Sequence, residues 1–389
     1  MKRLAVLGAR IHTVTRGTIP EGTILIEGGV IRDVGARVEI PAGCDVMDAR
    51  GLHAYPGLID AHSHLGLYEE GIGREGRDGN ETTCPVMPHL RAIDGVNPFE
   101  RGFTEACANG ITTAHILPAS GNVIGGQGAI VKTCGDTLAA RVVREPSALK
   151  LALGENPRRT YRERREIPTT RMGNAALIRQ ELTKALNHRV KLKREDRERD
   201  LRMDALIRLL DGEIPAHVHA HRLDDLMTAI RLSDEFGFRL ILVHATESHL
   251  MAGELAARRV PVVLGPIVTS RQKHELKGKT MATAQVLAEN GVLFALASDH
   301  PVMPSYTMPI GAIYAVKAGL DKDAALEAMT INPATILGVS DRLGSIEPGK
   351  DADIILLDRD ILDVQHRVRY TLVNGKAAYS AQGGTAPMI

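Results

Sequence analysis

Pro56-Gly57-Leu58-Ile59-Asp60-Ala61-His62-Ser63-His64 is the stretch that decides how this chain folds. An apolar run ends in a His-x-His pair. On a β-strand, residues i and i+2 share a face. His62 and His64 therefore project together from a strand end. A His pair on one face is the start of a metal site; taken alone, it also fits two unrelated polar residues in a loop.

Further ligand types follow in order along the chain. Pro215-Ala216-His217-Val218-His219-Ala220-His221 places three histidines on one face of a short strand. Arg239-Leu240-Ile241-Leu242-Val243-His244 is an apolar strand closed by His. Val292-Leu293-Phe294-Ala295-Leu296-Ala297-Ser298-Asp299-His300 is an apolar strand closed by Asp. Each polar group sits at the C-terminal end of a β-type run, where parallel-barrel enzymes carry their chemistry.

The order HxH, His, His, Asp resembles the amidohydrolase superfamily of metal-dependent hydrolases, most closely its imidazolonepropionase-like and prolidase-like branch. The motifs behind the resemblance are PGLIDAHSH (56–64), GITTA (110–114), HVHAHRLDD (217–225), LVHATE (242–247), ASDHP (297–301) and TINPATILGVSDRLGSIEPGKDADIILLD (330–358). They span nearly the whole chain, and the first and last are the most specific. The resemblance implies a metal-dependent hydrolase of carbon–nitrogen bonds other than peptide bonds. It also implies a homo-oligomer.

The organisation read from the residues agrees with that class. Short alternating strands fill residues 1–54, for example Gly22-Thr23-Ile24-Leu25-Ile26-Glu27, and similar strands fill 346–389. These ends are expected to form one small composite β-sandwich domain. Residues 55–345 alternate apolar strands with amphipathic helices, the pattern of an α/β fold with a (β/α)8 TIM-type barrel. Barrel strands are expected near 57–62, 111–117, 129–133, 149–154, 215–220, 239–244, 260–264 and 292–298. Helices are expected over 222–236, with helical apolar spacing, and over 321–329, with an acidic start.

Composition narrows the function classes. The 389 residues are 44% hydrophobic, enough for a sizeable core, and the net charge is +1. That neutrality and a 3% aromatic content weigh against nucleic-acid binding. The four cysteines, Cys44, Cys84, Cys107 and Cys134, lack CxxC spacing and read as reduced thiols. No signal peptide and no stretch near the ~20 apolar residues of a membrane span is apparent, so a cytoplasmic location is expected. Residues 158–202 depart from the average, with 15 Lys and Arg against 7 Asp and Glu, a net of +8. A solvated helical face is the main reading; a lid or carboxylate clamp over the barrel mouth is the other.

The expected metal ligands are His62, His64, His219, His244 and Asp299. Imidazole and carboxylate ligands without cysteine suit Zn, with Mn, Fe or Ni as alternatives. The family's ligand stands four residues after a Pro, which selects His219 after Pro215 and leaves His221 to bind substrate. Two metals would need a bridge. Glu155 is the preferred bridging ligand because it lies at a strand end; a carboxylated Lys150 is the alternative. A bound divalent cation acidifies water from ~16 toward ~7 and polarises a carbonyl. Asp299 would act as general base, and His221 would hold the oxyanion or carbonyl. Arg158 and Arg271 are the candidate clamps for a substrate carboxylate.

The substrate class is therefore an amide, a cyclic amide or a dipeptide. A prolidase-like dipeptidase or carboxypeptidase and an imidazolonepropionase-like ring-opening hydrolase are the alternatives. A deaminase is disfavoured, because the position three after His219 is Arg222 and not Glu. A non-catalytic dihydropyrimidinase-like scaffold ranks last, since such scaffolds lose ligands that this chain keeps.

Overall fold

The computed structural model describes residues 2–70, 74–192, 199–381 and 384–385. Alternating side chains make the N-terminal segment extended. β1 (Arg3–His12), β2 (Thr18–Glu27) and β3 (Val30–Gly35) form an antiparallel ladder. β4 (Asp45–Asp48) and β5 (His53–Pro56) run parallel to β1. The middle of the chain supplies β6 (Leu58–Ser63), β7 (Ile111–Ile116), β8 (Ile124–Gln127), β9 (Ala129–Lys132), β10 (Val142–Arg144) and β11 (Leu149–Ala152). It continues with β12 (Ala216–Ala220), β13 (Leu240–His244), β14 (Val262–Leu264) and β15 (Phe294–Leu296). β16 (Ile354–Leu357), β17 (Val368–Val373), β18 (Lys376–Ser380) and β19 (Gly384–Thr385) follow.

Both ends of the chain share one mixed nine-stranded sheet, because β16 pairs antiparallel with β5, Ile354 opposite Pro56. Its apolar side chains, including Val6, Ile11, Ile24, Ile354 and Leu372, gather into a core of their own. The central strands form two sheets, ordered β10-β9-β7-β6 and β15-β14-β13-β12-β11-β8. From β11 to β15 every pairing is parallel. These strands are buried at every position, as expected of parallel strands covered on both faces.

Helices fill the crossovers where the apolar spacing predicts them. The helix Leu223–Phe236 buries Leu226, Ile230 and Leu232, side chains whose burial is worth roughly 1.5–3 kcal/mol each. Asp224 and Asp225 sit in its first turn and Gly237 ends it at φ 73°, the acidic start and left-handed stop that a helix favours. Lys322–Glu327 is capped by the Asp321 side chain, which accepts from the Asp323 and Ala324 amides.

One barrel expectation is corrected. The strand expected at 129–133 exists as β9, but it runs antiparallel to β7, and β8 runs antiparallel to β11. The cause is the link between β7 and β8, residues 117–123, which carries no helix. A parallel return needs a crossover of a dozen or more residues; a shorter link turns the chain back. β8 and β9 then pass from one sheet to the other, and at that seam the Gly128 amide donates to Ala148 O and the Ser147 amide to Gly128 O, both at 2.9 Å. At the other seam the Asp299 amide donates to His62 O at 3.1 Å, and the His64 amide to His300 O at 3.0 Å.

The basic segment lies mostly on the helices Glu155–Arg162 and Arg171–Leu192. Much of its charge is paired: Arg171 with Asp225, Arg179 with Glu235, Arg189 with Asp211. Residues 193–198 of it lie outside the described residues. Among the described residues, no helix is long and apolar enough to cross a membrane.

Candidate metal centre

Strand ends bring the polar side chains together. His62 on β6 and His64 just past it point Nε2 at Asp299 Oδ1, each at 3.3 Å. His219 from β12, His221 just beyond it and His244 at the end of β13 make a second group, with donor atoms within 4.8 Å of one another. The two groups touch: the His62 and His244 rings are 5.2 Å apart, edge to face. Lys150, in the middle of β11, puts Nζ 3.3 Å from His62 Nε2.

Local backbone strain aims two of these groups. His244 (φ 67°), Ala245 (φ 42°) and Asp299 (φ 56°) are non-glycine residues in the left-handed region, which costs about 1–3 kcal/mol each. Backbone bonds hold them, Asp299 N to His62 O at 3.1 Å and Ala245 N to Ala220 O at 2.9 Å. Behind His62, the buried Asp60 carboxylate accepts from the Ser305 hydroxyl at 3.0 Å, and from the Ser298 hydroxyl. Burial pushes its pKa up to about 6, against the hydrogen bonds from Ser298 and Ser305.

Outer partners set the tautomers. His64 Nδ1 donates to Leu117 O and His244 Nδ1 to Gly265 O, both at 2.7 Å. A carbonyl only accepts, so these rings carry the proton on Nδ1 and turn an Nε2 lone pair to the centre. His221 Nδ1 lies 2.7 Å from Thr246 Oγ1. Gly265 has φ 146°, and a Cβ there would stand 2.1 Å from Ala297 O. Glycine alone fits where this carbonyl meets His244.

The electrostatics favour neutral imidazoles. Burial pushes His62, His219 and His221 well below the ordinary histidine range, and His244 to about 4. Burial alone would raise Asp299; His244, His62 and His64 around it hold it well below the carboxylate range. Burial lowers Lys150 to about 7. Converging imidazole lone pairs, one carboxylate and no thiol suit a divalent transition cation. Among the described residues, the buried Nδ1 atoms of His62 and His219 have no hydrogen-bond partner, which a polar interior tolerates rarely outside functional sites.

The remaining expected residues fall elsewhere. Glu155 opens the helix Glu155–Arg162, and its carboxylate accepts from the Glu275 amide at 3.3 Å. It is in neither donor group; the strand stops at Ala152, and Lys150 is the residue that reaches the histidines. Arg158 donates to Thr169 O at 3.4 Å, and Arg271 to Lys279 O at 2.7 Å. A cavity of about 470 Å³ opens over the histidines, and it is lined by Arg159 and Lys273 in place of Arg158 and Arg271. His217 is buried edge-on against His115, ring centroids 4.6 Å apart.

Three site residues escaped the reading of the sequence. Lys273 Nζ lies 3.4 Å from His221 Nε2 and donates to Glu275 Oε1 at 2.8 Å and Asn156 Oδ1 at 3.2 Å. Glu275 is buried, 3.6 Å from His221 Nε2 and 3.7 Å from His219 Nε2. Asn156 Nδ2 is 3.5 Å from His219 Nε2. Lys273 and Glu275 stand two apart after the seventh expected strand, in the same stretch as Arg271. Only the path of that loop, with its 3-10 turn His274–Leu276, separates their roles.

The model of the Amidohydrolase family matches residues 54–378. A solved amidohydrolase from Thermotoga maritima MSB8 superposes with TM-score 0.95 at 40% identity, covering 97% of this chain and all of that one. Amidohydrolase tasK of Hapsidospora irregularis is 28% identical over 92% of this chain; the chain spans only 40% of that relative's length. A dihydroorotase of Pelotomaculum thermopropionicum is 26% identical over 95% of this chain and 92% of its own.

Proposed function

The chain belongs to the amidohydrolase family, and from that premise we propose that it is a metal-dependent hydrolase of amide-type carbon–nitrogen bonds in small molecules. One observation carries the reading: His62, His64 and Asp299 on one side, and His219, His221 and His244 on the other, meet where the His62 and His244 rings touch, with Lys150 Nζ 3.3 Å from His62 Nε2. The carbonyls of Leu117 and Gly265 set the tautomers of His64 and His244, so their lone pairs and not N–H groups face the centre.

A divalent cation, zinc foremost, would be held by His62, His64, His219, His244 and Asp299; when bound it supplies an acidified water and a Lewis acid for the carbonyl oxygen. Lys150 is the bridge we assign, replacing Glu155, since Lys150 Nζ stands 3.3 Å from His62 Nε2 while the Glu155 carboxylate is turned to the Glu275 amide. As a buried amine it can take up carbon dioxide, forming the N–C bond of a carbamate with loss of one proton, which turns a neutral amine into a ligand anion. Asp299 Oδ1, ionised and within reach of His62 and His64, accepts the proton of the attacking water and returns it to the departing nitrogen. His221 and Lys273 stand together at the cavity floor and donate to the carbonyl oxygen as charge develops. Asn156 and Glu275 keep Lys273 aimed there.

The dihydroorotase relative supports a cyclic amide as substrate. A dipeptide with a free carboxylate is the second reading, and Arg159 and Lys273 on the cavity wall favour it. The central strands are read as one closed (β/α)8-type barrel over 55–345, supported by the backbone bonds at both seams. Residues 1–54 and 346–389 are read as a separate β-domain, supported by their shared sheet and own core.

The test is metal content and turnover measured together. Wild type, Lys150→Ala and Glu155→Ala would be assayed on cyclic amides, N-acyl amino acids and dipeptides. At least one metal equivalent fewer in Lys150→Ala than in wild type and no change in Glu155→Ala are expected. A wild-type protein that binds no metal after reconstitution sinks the reading.

A further inference from the structure

The nine-stranded sheet carries a second set of metal-type donors, on residues the hydrolase reading does not use. His12 ends β1 and His53 begins β5, and these strands are parallel neighbours with Arg10 opposite His53. Asp360 comes from the loop after β16, which pairs with β5. The donor atoms of His12, His53 and Asp360 all lie within 4.8 Å of one another. We propose that these three residues form a second binding site, for a divalent transition cation of the zinc class.

The spacing is that of a ligand pair. His12 Nε2 faces His53 Nδ1 at 3.1 Å. Two imidazole nitrogens on one tetrahedral zinc, each ~2.05 Å from it, stand about 3.3 Å apart. A cation therefore fits between them with a shift of a few tenths of an ångström. Each ligand is also steadied from outside. Thr18 Oγ1 lies 3.2 Å from His12 Nδ1, the far nitrogen of that ring. Tyr55 OH donates to Asp360 Oδ2 at 3.2 Å, and the Leu362 amide donates to Oδ1 at 2.9 Å. Each carboxylate oxygen keeps a lone pair for a metal. Such outer partners are what orient metal ligands in proteins.

The rings are already ordered. His12 stacks on Tyr55 with centroids 4.1 Å apart, and the His12 and His53 rings lie 5.3 Å apart and nearly parallel. Burial pushes His12 down to about 4, and lowers His53 as well. Both rings are then neutral at pH 7, the form that ligates without releasing a proton. The competing arrangement is one hydrogen bond shared by two neutral imidazoles, with Asp360 a bystander.

The three residues come from both ends of the chain. A cation held there ties β1 and β5 to the segment after β16, so binding is read out as stability of the terminal sheet. The inference stands apart from the hydrolase reading and fails separately from it.

The full chain would be equilibrated with zinc sulfate, freed of loose ions by gel filtration and analysed for zinc. Wild type, His53→Asn and Asp360→Asn would be compared. The expected result is one zinc equivalent fewer per chain in each variant than in wild type. Zinc should also raise the Tm of wild type above that of Asp360→Asn. Asp360 is exposed, so Asp360→Asn tests the site even where His53→Asn fails to fold. Equal zinc content in wild type and Asp360→Asn overturns the proposal, and so does a Tm that responds to zinc identically in both.

Discussion

Lys132 and Lys150 are both withdrawn from solvent, on strands of adjacent central sheets, and their surroundings are opposite. Lys132 Nζ pairs with Asp351 at 3.0 Å and Asp353 at 2.5 Å. It anchors β9 to the chain entering β16. Lys150 has no carboxylate within ion-pair distance among the described residues, and faces the His62 ring. A buried ammonium between carboxylates is a structural tie. A buried amine among imidazole donors stores free energy that only a ligand or a reaction recovers. The contrast separates the joint between the two parts of the molecule from its chemistry.

Substitution at the two lysines should break that contrast in opposite directions. Lys132→Met strands the Asp353 carboxylate in the interior and should cost about 3–5 kcal/mol of stability, seen in urea unfolding, with turnover per folded molecule kept. Lys150→Met should leave the unfolding midpoint within the range of an ordinary substitution and lower kcat/KM about 10³-fold, ~4 kcal/mol, with loss of bound metal. An activity loss in Lys132→Met equal to that in Lys150→Met would dissolve the distinction.

A finer test moves one bond further out. Thr246→Val removes the hydroxyl beside His221 Nδ1 and should lower kcat/KM about 10–100-fold, the usual cost of losing an orienting partner. Thr228→Val, at a half-buried helix position away from the histidines, is the matched control.

The smallest effect concerns pH. His115 is buried against Ser147 and His217, and burial lowers it to about 3. Its folded pKa lies below the unfolded value of 6.5, so the unfolded state takes the proton first as pH falls. Its contribution is therefore complete above pH 6.5 and is lost between 6.5 and 3, at up to about 1.4 kcal/mol per pH unit. His115→Gln should flatten that part of the stability curve. An unchanged slope would mean that His115 is not a source of it.

Much of the site was legible because strand ends announce themselves. His62, His64, His244 and Asp299 stand at the ends of apolar runs and His219 in a strand of alternating histidines, and period-two alternation puts such neighbours on one side. Which carboxylate or lysine joins them was not legible. Lys150 and Glu155 are five residues apart, and the choice turned on where β11 stops and the helix from Glu155 begins. The cavity wall differs from expectation in the same way: Arg159 and Lys273 line it, where Arg158 and Arg271 were expected. Loop side chains take their direction from backbone dihedrals that no periodicity encodes.

The sequence by itself determined the family, the order of the ligand types and the strands that end in them, since hydrophobic periodicity and short motifs are local properties. The tertiary structure decided what depends on distant neighbours. It turned β8 and β9 antiparallel, brought Lys150 to His62, buried Glu275 under His219 and His221, and set His12 and His53 beside Asp360. Those contacts join residues tens to hundreds of positions apart, and only closure of the sheets brings such groups within a few ångströms of one another.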